Sequence, residues 1–149
     1  MPAFAQTHET TIDAPPERVH ALVADFREWT KWSPWEGVDP DMERDYSGSG
    51  ATQRYRWSGN KKAGEGEMRM TAVKPERIDL DLEFRKPFKA QNKIDFVITP
   101  EGDGTRIAWT MSGHRNVAMA AMGRLFFDKA LGNDFDRGLA ALKAEAERG

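Results

Sequence analysis

Apolar and polar residues alternate with a period of two in four stretches of the chain, which is the pattern of a β-strand that buries one face. In the clearest stretch, Asp79, Asp81 and Glu83 separate the apolar residues from Ile78 to Phe84. The four stretches are 66–72, 78–84, 93–99 and 106–112. Turn segments with proline or glycine, at 74–76, 85–87 and 100–104, separate them at short spacing, which predicts consecutive antiparallel strands.

Three less regular stretches complete the predicted sheet. They are 4–13, 42–46 and 51–57. In the last of them, Gln53, Tyr55 and Trp57 fall on one face, because side chains alternate along a strand. The sequence therefore predicts seven strands in all.

Helical spacing is confined to two parts of the chain, and the first follows the predicted first strand. Asp13 and two prolines form a helix start, and Val19, Leu22 and Phe26 follow at helical spacing. Pro34 ends any regular helix, so we expect two short helices here. The segment also carries three tryptophans, Trp29, Trp32 and Trp35. One or two of them are expected to anchor the short helices on the sheet.

The second helical part predicts one C-terminal helix over 117–147. Its apolar stripe comprises Met119, Met122, Phe126, Leu131, Phe135, Leu139 and Leu142. Unbroken, this helix is about 46 Å long from its rise per residue, whereas a domain of this size is about 38 Å across. We therefore expect a bend or a break at Gly132 and Asn133, which are poor helix formers.

The element order is one strand, two short helices, six strands and one long helix. A sheet with its helices on one face is an α+β arrangement, and 149 residues suit a single domain over 1–149. A twisted sheet that curls around a helix leaves space between them unless side chains fill it. Phe, Trp and Met together number 20, against 18 for Leu, Ile and Val. Rings and thioethers line irregular spaces well, but they also fill ordinary cores.

Charge and cysteine content exclude several classes of function. The net charge of −2 argues against a nucleic-acid partner, which favours a strongly basic face. The absence of cysteine excludes disulfides, a thiol nucleophile and cysteine-ligated metals. No signal peptide or membrane span is recognisable. We expect a cytoplasmic protein without a cofactor and without integral membrane association; the sequence leaves its oligomeric state open.

Five stretches, taken together and in order, carry a family resemblance. They are 12–19, 29–35 with Trp29-Thr-Lys-Trp-Ser-Pro-Trp35, 50–57, 64–68 and 127–135 with the following Gly138 and Leu139. This pattern resembles the START/Bet v 1-like (SRPBCC) superfamily, in its bacterial polyketide cyclase/dehydrase and lipid-transport branch. The resemblance implies a helix-grip fold, in which a seven-stranded antiparallel sheet wraps around the C-terminal helix. It also implies a deep cavity, but no particular reaction, because one fold hosts many functions.

The candidate ligand-binding residues are those on the faces predicted to point inward and the tryptophan beyond Pro34. They are Trp35, Gln53, Tyr55, Trp57, Met68, Met70, Phe84, Phe96, Trp109, Met111, Met119, Met122 and Phe126. Some are expected to line a pocket for a small hydrophobic molecule such as a lipid, a polyketide or an aromatic compound. The alternative is that all of them are core. Trp35 is the residue expected nearest the pocket mouth.

Polar candidates are few. Gln53 and Tyr55 point the same way and are placed to hydrogen-bond a ligand oxygen. His114 follows the last predicted strand, near one end of the proposed cavity, although a surface histidine is the simpler interpretation. The histidine spacing fits no metal motif, so no metal site is predicted. The carboxylates of the strands, including Glu65 and Glu67, alternate outward and are expected to be solvated.

Three functions remain open at this level. The first is a non-catalytic carrier or sensor of a small apolar molecule. The second is a cyclase or dehydratase in which Tyr55 or His114, the weak catalytic candidates, moves protons. The third is a protein-interaction module like the Hsp90-activating branch of the superfamily, which predicts an exposed conserved patch and a closed, filled core.

Overall fold

The alternating stretches form a seven-stranded antiparallel sheet in the computed structural model, which describes residues 3–34, 41–60, 64–86, 89–114 and 117–148. Residues 3, 4, 90, 114 and 117–131 are described by their backbone alone. The strands are β1 (Ala3–Ile12), β2 (Glu43–Ser47), β3 (Arg54–Ser58), β4 (Glu65–Lys74), β5 (Arg77–Lys86), β6 (Ala90–Glu101) and β7 (Gly104–His114). Their order across the sheet is β1-β7-β6-β5-β4-β3-β2. The predicted α+β fold class and helix-grip topology are confirmed.

Two short helices follow β1, as predicted. Helix α1 (Pro16–Val23) is followed by a 3-10 helix (Phe26–Lys31), whose first turn is capped by the Asp25 carboxylate. The predicted strand over 51–57 begins later than expected, at Arg54. The reason is a 3-10 turn at Gly50–Thr52, which precedes β3.

Cross-strand partners assign the side chains of the inner face, which packs against the helices. One row runs through the middle of the sheet and contains Ile78, Phe96, Trp109 and His8. Two rows further towards the β3–β4 connection, another contains Tyr46, Tyr55, Met68, Leu82, Asn92 and Gly113. The row at the end of the sheet contains Arg44, Trp57, Gly66 and Phe84. In the middle row Ile78, Phe96 and Trp109 are fully buried, whereas the last two rows contain partly exposed residues.

The C-terminal helix α2 (Val117–Arg148) runs unbroken for 32 residues, so the predicted break at Gly132 and Asn133 is wrong; a bend there stays a prediction. Gly132 serves close packing, because an added Cβ would lie 2.8 Å from the Gln6 amide oxygen and 3.3 Å from the His8 ring. No helix in the described part of the chain combines the length and the apolarity needed to cross a bilayer.

Polar contacts fasten the second half of α2 to β1. The Lys143 ammonium donates to the Thr11 carbonyl at 2.9 Å, and the Asp13 amide donates to the Glu147 carboxylate at 2.8 Å. The hydrogen bonds from Lys143 and Asp13 lower the pKa of Glu147 below its ordinary value. Further up the helix, Asp136 lies 2.8 Å from the His8 Nδ1. These contacts supply partners to a strand at the edge of the sheet.

One outer-face carboxylate contradicts the expectation of solvated strand faces. Glu67 is only 6% exposed. Its Oε1 lies 3.0 Å from the Nε atoms of both Arg54 and Arg56, and its Oε2 lies 3.6 Å from Arg85. Glu67 does point outward as predicted, but three long arginine side chains from the adjacent strands cover it.

Candidate functional site

Five rings fill the middle of the inner face and are called the ring core here: Trp29, Trp32, Phe96, Trp109 and Phe135. Trp109 and Phe135 are stacked, with centroids 4.3 Å apart and planes 12° apart. Trp32 meets both Phe96 and Trp109 nearly edge-on. All five rings are almost completely buried. The ring core is thus a closed hydrophobic core, and Phe96 and Trp109, which were predicted to line a pocket, lie inside it.

The two tryptophans from the short helices are the predicted anchors. Trp29 Nε1 donates to the Val23 carbonyl and Trp32 Nε1 to the Leu22 carbonyl, each at 2.8 Å. These bonds satisfy both indole groups while the rings pack on the sheet, as buried tryptophans require.

A second group of rings lies on the same face towards the β3–β4 connection and is called the aromatic patch: Tyr46, Tyr55, Trp57 and Phe84. Tyr46 and Tyr55 stack across β2 and β3 at 5.0 Å, and Tyr55 and Trp57 stack along β3 at 5.9 Å. Phe84 meets Trp57 edge-on at 5.8 Å. Tyr55 is buried, whereas Tyr46, Trp57 and Phe84 are only partly buried. The aromatic patch therefore leaves ring surface uncovered.

A glycine under Trp57 shapes the patch. A Cβ added to Gly66 would lie 2.5 Å from the Trp57 ring and 2.4 Å from the Glu83 carbonyl oxygen. The indole thus lies directly over the backbone of β4, as the absence of a side chain at Gly66 allows.

An amide missed by the sequence reasoning lies beside the patch. Asn92 is in phase with the buried Ile94 and Phe96, and its cross-strand partners are Leu82 and Gly113. Its side chain is half-buried. A signal was present, because Asn92 is a polar residue at an inner position of an otherwise regular alternation.

Two guanidinium groups lie around the patch. The Arg27 guanidinium carbon is 5.2 Å from the Tyr46 ring centroid, a cation–π distance. Arg44 is the cross-strand partner of Trp57 and is exposed. Cationic side chains are thus present at the β2 side of the patch.

The Gln53 side chain, predicted to hold a ligand oxygen, holds the backbone instead. Its Oε1 accepts from the Phe26 amide at 3.0 Å, and its Nε2 donates to the carbonyls of Ala24 and Gly50 at 2.7 and 3.0 Å. Gln53 is 5% exposed. Its amide links the segment after α1 to the turn before β3, which makes it a poor candidate for ligand recognition.

The remaining predicted residues divide into two sets. Met68, Met70 and Met111 are buried on the inner face between the aromatic patch and the ring core. The residues whose side chains lie outside the described part of the chain are Trp35, His114, Met119, Met122 and Phe126. Among the residues that the structure describes, no three histidine, aspartate or glutamate side chains come close enough to hold a metal ion.

The chain matches a known family over nearly its whole length. Residues 4–147 match the family described as polyketide cyclase / dehydrase and lipid transport. No curated protein matches the sequence.

Several solved structures share the fold. The di-domain ARO/CYC BexL from the BE-7585A biosynthetic pathway is 21% identical with a TM-score of 0.75, and the match covers 97% of this chain and 50% of that one. Ara h 8.0201 is 11% identical with a TM-score of 0.71 and coverage of 99% and 100%. The Aha1 dimer from Colwellia psychrerythraea is 18% identical with a TM-score of 0.69 and coverage of 97% and 96%.

Proposed function

The chain belongs to the polyketide cyclase / dehydrase and lipid transport family, and we propose that it binds one small, flat, hydrophobic molecule on the aromatic patch. In this proposal the protein acts as a carrier or sensor. The bound molecule lies between the sheet and α2, with the ring core as the closed floor of the site.

The observation that carries the proposal is the partial exposure of rings on a face whose middle is closed core. Trp57 and Phe84 lie in the same sheet and on the same face as Phe96 and Trp109, yet only the latter two are fully covered. Uncovered aromatic surface of this kind favours association with an apolar partner. Near-parallel rings, such as Tyr55 and Trp57, are suited to a flat partner.

The comparisons support the same class of ligand without identifying it. The family description names polyketide chemistry and lipid transport, and both are activities on largely apolar molecules. The name of BexL places that relative in a biosynthetic pathway. We carry over from these names only the class, a small hydrophobic molecule.

A cyclase or dehydratase is the second candidate function. We place it after binding because of the polar groups that the patch offers. In the described part of the chain, the four rings of the aromatic patch offer two phenol hydroxyls, those of Tyr46 and Tyr55. The Tyr55 ring is 7% exposed and packs against three other rings. Acid–base chemistry usually pairs titratable groups with separated pKa values. Two phenols fit binding better than proton transfer.

The experiment is equilibrium dialysis of 9-fluorenone, a planar three-ring probe, against the wild-type protein and Trp57→Ala. We expect saturable binding at one site, and a loss of about tenfold or more in affinity in the variant, as for a central aromatic contact. Val97→Ala is the matched control, because Val97 is a half-buried apolar residue of the outer face. Absence of saturable binding by the folded wild type, or equal losses in both variants, would contradict the proposal.

A further inference from the structure

We propose that Asn92 reads a hydrogen-bonding group on the ligand, so that the ligand is a flat conjugated molecule carrying a keto or hydroxyl oxygen, not a bare hydrocarbon. This inference rests on the proposed function, because it concerns the same site.

The backbone fixes the direction of the Asn92 side chain. In β6, Asn92 alternates in phase with Ile94 and Phe96, both of which are buried on the inner face. Its register partner Leu82 is buried on the same face. The amide therefore projects from the inner face of the sheet, beside the buried Leu82, and not from the charged outer face.

The Asn92 amide differs in its partners from a second buried amide, that of Gln53. Gln53 is bonded to three backbone groups, whereas the described residues form no hydrogen bond with the Asn92 side chain. The Asn92 amide is half-buried and still contacts solvent. A ligand that covered it without a hydrogen bond would remove that water at a cost in free energy, so the position favours a polar atom on the ligand.

A glycine gives Asn92 its space. A Cβ added to Gly113 would lie 2.4 Å from the Asn92 Oδ1, so the amide occupies the place where a side chain of β7 would be. An asparagine amide presents one acceptor and two donor hydrogens. It can thus donate to a carbonyl oxygen or accept from a hydroxyl group, and both fit the proposed ligand.

The amide and the patch are close enough for one molecule to touch both. Phe84 on β5 pairs with residue 90, two positions before Asn92 on β6. Such diagonal neighbours are about 7–8 Å apart. A planar molecule of three fused rings is long enough to contact the Phe84 and Trp57 rings while its oxygen meets the Asn92 amide.

The test compares 9-fluorenone with fluorene, which has a methylene group in place of the carbonyl group. We expect the wild type to bind 9-fluorenone about three- to tenfold more tightly, the contribution of one hydrogen bond. In Asn92→Leu this preference is lost, while fluorene binds at least as tightly as to the wild type. Equilibrium dialysis measures all four affinities.

Two further variants separate a specific role from a general one. Gln91→Leu removes an exposed amide from the outer face of the same strand, and we expect it to keep the preference. Gly113→Ala keeps the Asn92 amide but displaces it, so we expect a reduced preference.

The two proposals fail differently. Equal binding of both probes to the wild type, or an unchanged preference in Asn92→Leu, overturns the role of Asn92 and leaves the patch as a binding site. If neither probe binds the folded wild type, the proposed function fails, and the role of Asn92 is overturned with it.

Discussion

The ring core and the aromatic patch are built from the same residue types on one face of one sheet, but they differ in what covers them. Phe135 of α2 stacks on Trp109, and Trp29 and Trp32 close over Phe96 from the short helices. In the described part of the chain, the four rings of the patch contact one another and Phe26. In the ring core, aromatic contacts close the core completely; in the patch, Tyr46, Trp57 and Phe84 stay partly exposed.

Glycines sharpen this contrast. Gly138 in α2 has Trp109 2.8 Å and Pro34 2.9 Å from the position of an added Cβ, which allows the helix to close tightly on the ring core. In the sheet, Gly66 and Gly113 instead let the Trp57 ring and the Asn92 amide lie over the backbone. The same residue type thus brings two elements together in one region and shapes a surface in the other.

The largest expected difference between the two regions is in stability. Trp109→Ala empties the centre of the ring core and is expected to cost about 3–5 kcal/mol in the free energy of unfolding. Trp57→Ala removes a partly exposed ring and should cost about 1–2 kcal/mol, because less area leaves contact. Urea denaturation of both variants measures the difference; equal losses would mean that the patch is as much core as the ring core.

A smaller effect is expected from Gly66→Ala. The new methyl group conflicts with the Glu83 carbonyl and the Trp57 ring, and overpacking of this kind costs about 1–3 kcal/mol. In the Trp57→Ala background one conflict disappears, so the cost should fall but not vanish. A double-mutant cycle by urea denaturation gives both values. An unchanged cost in the second background would show that the ring is not what the methyl group meets.

Glu67→Gln tests the outer face behind the patch. Removing the negative charge leaves three arginines without their shared partner, and we expect a loss of about 1–2 kcal/mol, since these arginines are part exposed. The affinity for 9-fluorenone should remain unchanged, because Glu67 points away from the patch. A variant that stays folded at the assay temperature but binds more weakly would contradict this separation of the two faces.

The smallest effect concerns Glu147, which fastens α2 beside the ring core. Because its pKa is lowered in the folded state, its ionised form stabilises the fold at pH values above the ordinary pKa of 4.5, and this contribution disappears as the pH falls through the lowered folded value. The stability difference between wild type and Glu147→Gln should therefore be constant at neutral pH and shrink in acid. If the stability difference between the two proteins grew in acid, folding would have to raise the pKa of Glu147, which would contradict this prediction.

The sequence predicted most of the fold because alternation is a local property. The alternation of apolar and polar side chains from Ile78 to Phe84 is enough to predict a half-buried strand. The residues that pair with this strand are not needed for that prediction. The continuous course of α2 through Gly132 was mispredicted, because the reason for that glycine is its distance from Gln6 and His8 on a strand more than a hundred residues away.

The candidate site was harder to predict, since it depends on which rings other parts of the fold bury and not on residue type. Tyr55 and Trp109 look alike in the alternating pattern, but only the tertiary packing shows that Phe135 stacks on Trp109. Glu67 faces outward as its phase requires, yet its burial comes from arginines that alternation does not reveal. The hydrogen bonds of Gln53 to the segment after α1 likewise depend on the tertiary fold.

The most direct test uses the indole N–H signals of the five tryptophans in a two-dimensional ¹H–¹⁵N spectrum, assigned by single Trp→Phe variants. On titration with 9-fluorenone, we predict that the Trp57 signal shifts saturably while the signals of Trp29, Trp32 and Trp109 stay in place. Saturable shifts of Trp32 and Trp109 with an unmoved Trp57 signal would place the guest in the ring core and contradict the account.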